Sequence, residues 1–207
     1  MTIRKGSPWG EPRDAKAEVS IVSDDAALAE AAYRIYLATL GGDTDPASNL
    51  FRPSSGDVLK TLGLGSVRAV SEQMVFPFDL GLVRLDGDEP LAFSAHVICR
   101  NRHWSGAFAT IMNVGWCGNN YFGPRAHPND GLLDITEGSL PLQQRLLARS
   151  RLKNGSHLPH PNLKATRRPS HRVDFVNPTA VFVDGVAVGR HSVVDVELMP
   201  DVFKVVA

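Results

Sequence analysis

The strongest constraint on the fold is a series of strand-like runs near the end of the sequence: HRVDFV, TAVFVDGVAVG, SVVDVELMP and VFKVVA. In the third run, Val194, Val196 and Leu198 alternate with two acidic residues, which is the period of a strand with one buried face. Asp184–Gly185 divides the second run, and Asp-Gly is typical of the two-residue turn of a β-hairpin. Similar apolar runs separated by turn pairs fill residues 74–135. The pattern predicts a β-rich domain over residues 74–207.

The first 73 residues have a different pattern. A short strand-like run around Val19–Val22 precedes a helical pattern that Ser23 or Asp24 could cap and that Gly41–Gly42 ends. A second, brief helix is predicted in GDVLKTLGLG. The strand, the helix and the glycine pair look like half of an α/β nucleotide-binding layer. We therefore expect an α+β, mainly β fold, with a reduced α/β nucleotide-binding-like segment over residues 1–73.

The charge is balanced overall, with 22 basic and 22 acidic residues, but it is unevenly distributed. Residues 141–172 include Arg145, Arg149 and six further arginines and lysines, and they contain neither Asp nor Glu. Such a stretch predicts a positive surface field that attracts anions, although a solvated basic face without a ligand explains it equally well. Because the net charge is zero, we expect no nucleic-acid partner.

Cys99 and Cys117 are the only cysteines of the sequence, and they have neither the spacing of a zinc site nor the number of a disulfide scaffold. The beginning of the sequence lacks the apolar core of a signal peptide, and no apolar run approaches the ~20 residues of a membrane span. We expect reduced thiols in a soluble, cytoplasmic protein. A peripheral contact with the inner face of the membrane is compatible with these features.

Four acidic or glycine-rich turns contain the candidate functional residues: Gly41–Gly42–Asp43, Ser55–Gly56–Asp57, Asn129–Asp130–Gly131 and Asp184–Gly185. In the first two turns, backbone N–H groups beside a helix could bind phosphate, although a helix end and a helix cap explain the same residues. The Asp130 carboxylate of the third turn is a hard oxygen ligand suited to Mg²⁺. The Asp184 carboxylate of the fourth turn could act as a general base. A tight turn alone also accounts for the last two.

Taken in order, these turns and the runs around them resemble the diacylglycerol kinase-like lipid kinases of bacteria. The similar part extends from Met74 to the end and includes FDLGLVRLDG, NVGWCGNNYFGPRAHPNDGLLDI, LLARSRLKNGSHLPHPNL and VFVDGVAVG. The resemblance implies a C-terminal β-sandwich domain. It also implies a Mg²⁺ site with Asp130 as a ligand and with the Leu132 carbonyl and His127 nearby. Asp184 corresponds to the family's proposed general base, although Val186 stands where the family has Glu.

The nucleotide-binding part of the family is matched less completely. SSGDVLKTLG resembles one family segment, and GGDT resembles the ATP-phosphate loop without its second glycine. The two lie too close together for the helix of at least ~10 residues and the strand of ~5 residues that separate them in the family. The resemblance thus implies ATP and Mg²⁺ as cofactors, with nucleotide contacts from Gly41, Gly42, Asp43, Ser55, Gly56 and Asp57.

Two functions follow as expectations. The first is ATP-dependent phosphorylation of a lipid hydroxyl, weak or incomplete for this chain alone because phosphoryl transfer depends on positioning the phosphates. A homo-oligomer or a partner chain could supply the missing nucleotide contacts. The second is a non-catalytic module that binds a lipid or a small anion, or that serves as the partner subunit of a kinase. A scaffold without a small ligand is the remaining alternative.

Overall fold

The computed structural model describes residues 9–13, 18–42, 49–63 and 73–207. One sheet of eleven strands dominates this part of the chain, and β8 and β9 form a separate two-stranded ladder. The strands are β1 (Glu11–Pro12), β2 (Ser20–Val22), β3 (Leu50–Pro53), β4 (Met74–Leu85), β5 (Leu91–Phe93), β6 (His96–Cys99), β7 (Ala107–Met112), β8 (Trp116–Cys117), β9 (Asn120–Tyr121), β10 (Leu133–Ser139), β11 (Leu163–Arg168), β12 (Ser170–Val183) and β13 (Val186–Val206). The α-helices are α1 (Asp25–Leu40), α2 (Asp57–Thr61) and α3 (Leu142–Arg151).

The large sheet closes on itself as a sandwich. Its main path runs β1-β4-β13-β12-β6-β7-β10-β11, with β5 beside β4 and β3 beside β13. Val83 of β4 and Ile135 of β10 lie far apart in this order, yet both belong to one buried apolar cluster, the sandwich core. The sheet therefore folds over, so that two distant parts of it pack against each other across that core. The α+β, mainly β fold predicted from the sequence is confirmed.

The described residues of the first 73 pack directly on this sheet. β3 pairs in parallel with β13, and β2 pairs in parallel with β3. Leu28 of α1 and Phe51 of β3 share a second buried cluster, the α1 core, with Phe78 of β4 and Phe203 of β13. β13 serves both cores because a register shift between Met199 and Phe203 divides it into two stretches. The division into two domains near residue 73 stays a prediction.

Several local predictions agree with the observed backbone. The Asp24 side chain caps α1 by accepting the Ala27 N–H, and Gly41–Gly42 ends that helix. Asp184–Gly185 forms the two-residue turn between β12 and β13. Helix α3 begins after Pro141, and a 3₁₀ turn extends it to Asn154 before Gly155. None of the helices in the described segments has the length and apolar character needed to span a bilayer.

Candidate functional site

Asp184 lies in the β12–β13 turn and fastens it to the segment between β5 and β6. The residue has a φ of +46°, a left-handed conformation that Asp tolerates better than most residues. Its carboxylate accepts the backbone N–H groups of Ser94 (2.7 Å), Ala95 (3.0 Å) and His96 (2.8 Å). The Asp184 N–H in turn donates to the His96 carbonyl at 3.0 Å. The carboxylate is thus held in one position by three backbone donors.

Asp25 brings the beginning of α1 and the beginning of α2 to the same place. Its buried carboxylate accepts the N–H groups of Asp57 (2.6 Å) and Val58 (3.2 Å), which satisfies donors at the first turn of α2. Gly56 has a φ of +121°, and a Cβ there would lie 2.2 Å from Asp25 Oδ1, so this close approach requires glycine. Ser94 Oγ lies 2.9 Å from the Asp25 carbonyl and 3.2 Å from Asp184 Oδ2. This hydroxyl links Asp25 to Asp184.

Asp57 and His96 complete this group, which we call the Asp184 cluster: Asp25, Asp57, Ser94, His96 and Asp184. Asp57 Oδ2 lies 3.1 Å from His96 Nε2, and both Asp57 oxygens accept the Gly118 N–H at 2.9 and 3.0 Å. Cys117 is also close, because its sulfur, an Asp57 oxygen and a His96 ring nitrogen all lie within 4.8 Å of one another. Four distant parts of the sequence therefore meet at this point.

The pKa values of the three carboxyl groups of the Asp184 cluster are shifted in different directions. Burial and the nearby Asp184 charge raise the pKa of Asp25 to about 7, against two backbone hydrogen bonds that favour its ionised form. Burial likewise raises the pKa of Asp184. Burial also disfavours the charged form of Asp57, but hydrogen bonds from His96 and Gly118 outweigh it and lower the pKa of Asp57. At His96 burial lowers the pKa of the imidazole, but the hydrogen bonds with Asp57 and Cys117 and the nearby charge of Asp184 together outweigh burial and raise that pKa.

A cavity of about 690 Å³ lies beside the cluster, with His96, Cys117 and Gly185 in its wall. This volume is in the usual range for small-molecule sites. Half of the lining residues are aliphatic or aromatic: Ile98, Trp104, Phe108, Phe122, Leu140, Leu142, Leu146, Ala148, Leu152, Leu163 and Phe182. Arg100, Arg145 and Arg149 also line it, and no described residue of the wall is acidic. The cavity combines an apolar interior with positive charge.

Asp130, Leu132 and His127 lie in a separate group before β10. Asp130 Oδ1 accepts the Leu132 N–H at 3.0 Å, and Oδ2 forms an ion pair with Arg167. The His127 ring packs edge-on against Trp9, with 4.6 Å between ring centroids. The Arg167 guanidinium thus already balances the charge of Asp130. The metal-binding role of the three residues stays a prediction.

Asp79 holds the Asp130 turn in place through hydrogen bonds from the backbone. Its carboxylate accepts the N–H groups of Gly131 (2.8 Å) and Asp201 (2.9 Å), and burial raises its pKa to about 6. Asn113 Nδ2 donates both to the Asp79 carbonyl (2.9 Å) and to the Ser94 carbonyl (2.8 Å). One buried amide thus connects the Asp130 turn with the Asp184 cluster, although Asp130 does not line the cavity.

The residues predicted to contact nucleotide are only partly assembled. Gly56 and Asp57 lie in or beside the Asp184 cluster, and Ser55 Oγ donates to the Ser23 carbonyl at 2.8 Å. Gly41 and Gly42 lie at the opposite end of α1 from Asp25, and a helix of 16 residues is ~24 Å long. Asp43 lies outside the described residues. The described positions do not form one phosphate cradle, so no step of a reaction is assigned to ATP.

Sequence reasoning missed Asp25, His96 and Cys117 as members of the site. Asp25 follows the N-cap residue Asp24, and an acidic residue is common in the first turn of a helix, so the sequence pattern indicates no further role for it. His96 stands in an apolar strand-like run, and Cys117 lacks a second cysteine at metal-site spacing. The one available signal was His96 itself, a titratable residue that the strand pattern places in the core, where its exposed fraction is 2%.

Comparisons with known proteins agree with this architecture. A family model described as the YegS C-terminal NAD kinase beta sandwich-like domain matches residues 66–207. Among similar solved structures is a candidate diacylglycerol kinase from Bacillus anthracis str. Sterne, with a TM-score of 0.60 and 12% identity over 92% of this chain and 78% of that chain. A second candidate diacylglycerol kinase from the same organism gives a TM-score of 0.53 and 15% identity over 75% of this chain and 67% of that chain.

At these identities, the structural similarity shows the fold alone. No curated protein matches the sequence. The family model, however, covers well over half of the chain, and its sandwich is the one that the two cores and the sheet order describe. The chain therefore belongs to the family of the YegS C-terminal NAD kinase beta sandwich-like domain, and its fold is similar to that of candidate diacylglycerol kinases.

Proposed function

We propose that the protein binds an anionic lipid, with its acyl part in the cavity and its headgroup beside the arginines of the wall. The observation that carries the proposal is the composition of the lining, where aromatic and aliphatic side chains enclose about 690 Å³ and the charged groups are all basic. An apolar enclosure removes an acyl chain from water, and the arginines favour a negative headgroup. A small polar anion would leave the apolar wall without a partner.

The arginines of the wall are fixed by their neighbours. The Arg100 guanidinium lies over the rings of Phe182 (4.8 Å) and Trp104 (5.5 Å). Arg145 Nη1 donates to the His103 carbonyl at 2.8 Å. Because both guanidinium groups are already positioned, a headgroup binds them with little additional loss of side-chain entropy.

Helix α3 lines the cavity and exposes leucines that could contact a membrane surface. Leu142 and Leu146 line the cavity and are each 61% exposed, and Leu147 beside them is 49% exposed. Arg149 and Arg151 lie in the last turn of the same helix. Exposed leucines next to arginines are the composition of a helix that lies in the interface of an anionic bilayer. Lipid entry past α3 requires only a peripheral membrane contact.

The test is lipid binding by a variant with a filled cavity. Ala148 lines the cavity from α3, whereas Leu147 does not. We expect Ala148→Phe to weaken binding of a fluorescent anionic phospholipid in detergent micelles by at least about 10-fold, and Leu147→Phe, the matched control, to bind as the wild type does. Equal binding by both variants, or a wild type that does not bind the probe, contradicts the proposal.

ATP-dependent phosphorylation of a lipid hydroxyl is the second candidate, because Gly185 lines the cavity directly after Asp184. A hydroxyl at that wall lies near a carboxylate whose raised pKa suits proton transfer. To accept the proton, Asp184 must then give up one of its hydrogen bonds, of which the contact with the Ser94 hydroxyl at 3.2 Å is the longest. Nucleotide contacts from a second copy of the chain or a partner kinase subunit would complete the site.

Titration calorimetry with Mg²⁺ and ATP, followed by transfer of labelled phosphate to a lipid panel, separates the two candidates. A lipid product that disappears in Asp184→Asn supports the kinase. Lipid binding without a detectable nucleotide heat or a labelled product supports the binding module.

A further inference from the structure

We propose that Asp57, His96 and Cys117 form a binding site for a zinc-type divalent cation. The site is distinct from the Mg²⁺ role expected for Asp130, and the lipid proposal does not depend on it. The three side chains come from the first residue of α2, the first residue of β6 and the end of β8. One potential ligand atom of each lies within 4.8 Å of the other two.

The ligand set selects the metal. A thiolate, an imidazole and a carboxylate are the donors that Zn²⁺ prefers, whereas Mg²⁺ takes oxygen ligands. With metal–ligand distances of about 2.0 to 2.3 Å, two ligands of a tetrahedral ion lie roughly 3.3 to 3.7 Å apart. Asp57 Oδ2 and His96 Nε2 already lie 3.1 Å apart. The Cys117 sulfur lies within 4.8 Å of both, so a small movement of the thiol brings all three onto one ion.

The surroundings hold two of the ligands in place. Both oxygens of Asp57 accept the N–H of Gly118, the residue after Cys117, so the carboxylate and the thiol are tied to the same short loop. His96 is 2% exposed, and its Nδ1 is buried without a hydrogen-bond partner in the described segments. The nitrogen that contacts Asp57 is Nε2, and this is the nitrogen that would bind the ion.

Asp57 supplies the carboxylate of the site. The ammonium group of Lys60 does not occupy the site, because Lys60 Nζ donates to the Gly118 carbonyl (2.6 Å) and lies over the Trp116 ring. A divalent ion between Asp57 and His96 takes the place of the proton that these two groups share. Binding therefore releases that proton and the proton of the Cys117 thiol.

The site has the form of an open metal centre. Three protein ligands leave one position of a tetrahedral ion for an exogenous ligand. Since His96 and Cys117 both line the cavity, that position is open to an oxygen of a molecule bound there.

Cobalt(II) titration of the full-length, metal-stripped protein tests the proposal, since Co²⁺ occupies zinc sites and a thiolate ligand gives an intense near-ultraviolet charge-transfer band. We expect one Co²⁺ per chain with that band, and its displacement by Zn²⁺. In Cys117→Ser the band disappears and Zn²⁺ affinity falls at least about 10-fold. Cys99→Ala is the matched control, because Cys99 is fully buried and lies outside the trio.

Two further measurements make the result decisive. Zn²⁺ should raise the thermal midpoint of the wild type and of Cys99→Ala, and should leave that of Cys117→Ser unchanged. Asp57→Asn should keep the thiolate band with weaker binding, and circular dichroism confirms that each variant is folded. Absence of stoichiometric Co²⁺ binding, or a band that is lost with Cys99 and retained without Cys117, overturns the proposal.

Discussion

Asp25 carries the clearest pH dependence at the scale of single residues. Its pKa is about 7 in the folded protein and 3.8 in a model peptide, so between these values the folded state holds a proton that the unfolded state has lost. The contribution of Asp25 to folding stability therefore falls as pH rises through this window, by about 1.4 kcal/mol per pH unit at most. The pKa of Asp79 is also raised, to about 6. Asp79 therefore also makes folding stability decrease with pH, in the lower part of the same pH window.

We predict that Asp25→Asn flattens this dependence. Urea unfolding between pH 5 and pH 7 should give a markedly smaller decrease in the free energy of unfolding for the variant than for the wild type. Asp24→Asn is the control, since Asn preserves the helix cap and the pKa of Asp24 is lowered, which places its titration below the measured range. Identical slopes for Asp25→Asn and the wild type would show that Asp25 is ionised throughout.

Asp24 and Asp25 show which structural roles can be predicted from a sequence and which cannot. The role of Asp24 is local, because its partner Ala27 is three residues away and a capping pattern predicts it. The role of Asp25 depends on N–H groups 32 and 33 residues later and on an Asp184 that reaches it only through the folded sheet. Local spacing contains no information about such a contact.

At the scale of elements, α3 is the part whose surface is least explained by folding alone. Leu142, Leu146 and Leu147 leave much of their apolar area in water, next to arginines of the same helix. We predict that Leu147→Glu reduces sedimentation with anionic liposomes several-fold, because the change removes apolar area and adds a charge that an anionic surface repels. Val176→Glu on β12 is the control, because Val176 is 99% exposed and lies on a strand instead.

The salt dependence of liposome binding is a second test of the same membrane contact. Attraction of exposed arginines to anionic lipid weakens as ionic strength rises. Wild-type binding that is insensitive both to salt and to Leu147→Glu would remove α3 from the membrane contact.

The sequence predicted well those elements whose ends are marked by neighbouring residues, such as a helix cap or a two-residue turn. α1 lies between Asp24 and Gly41–Gly42, and the last hairpin turns at Asp184–Gly185, because caps and two-residue turns use residues adjacent in the chain. The parallel pairing of β3 with β13 was not predicted, since it joins Phe51 to Val205 across most of the sequence. The resemblance to a known family supplied the sandwich, and only coordinates supplied the meeting of Asp57, His96 and Cys117.

At the scale of the whole molecule, the question is whether the first segment and the sandwich unfold together. The α1 core contains Phe51 from the first segment and Phe78 and Phe203 from the sandwich strands, with 6.3 Å between the ring centroids of Phe51 and Phe203. β13 is a single strand whose two stretches, on either side of the register shift, belong to this core and to the sandwich core. A shared strand and a shared apolar cluster couple the two parts energetically, so we expect one cooperative transition.

Phe51→Ala tests that coupling. The side chain is 2% exposed, so its truncation should lower the free energy of unfolding by about 3 to 5 kcal/mol. In a coupled molecule, amide exchange of β2–β3 and of β6–β7 accelerates together in this variant, whereas Val176→Ala changes neither by more than a small factor. If Phe51→Ala accelerates exchange in β2–β3 alone and urea resolves two transitions, the segment before residue 73 is a separate folding unit docked on the sandwich. The single transition that we predict would instead mean that the Asp184 cluster, whose members come from both parts, forms only when the whole chain folds.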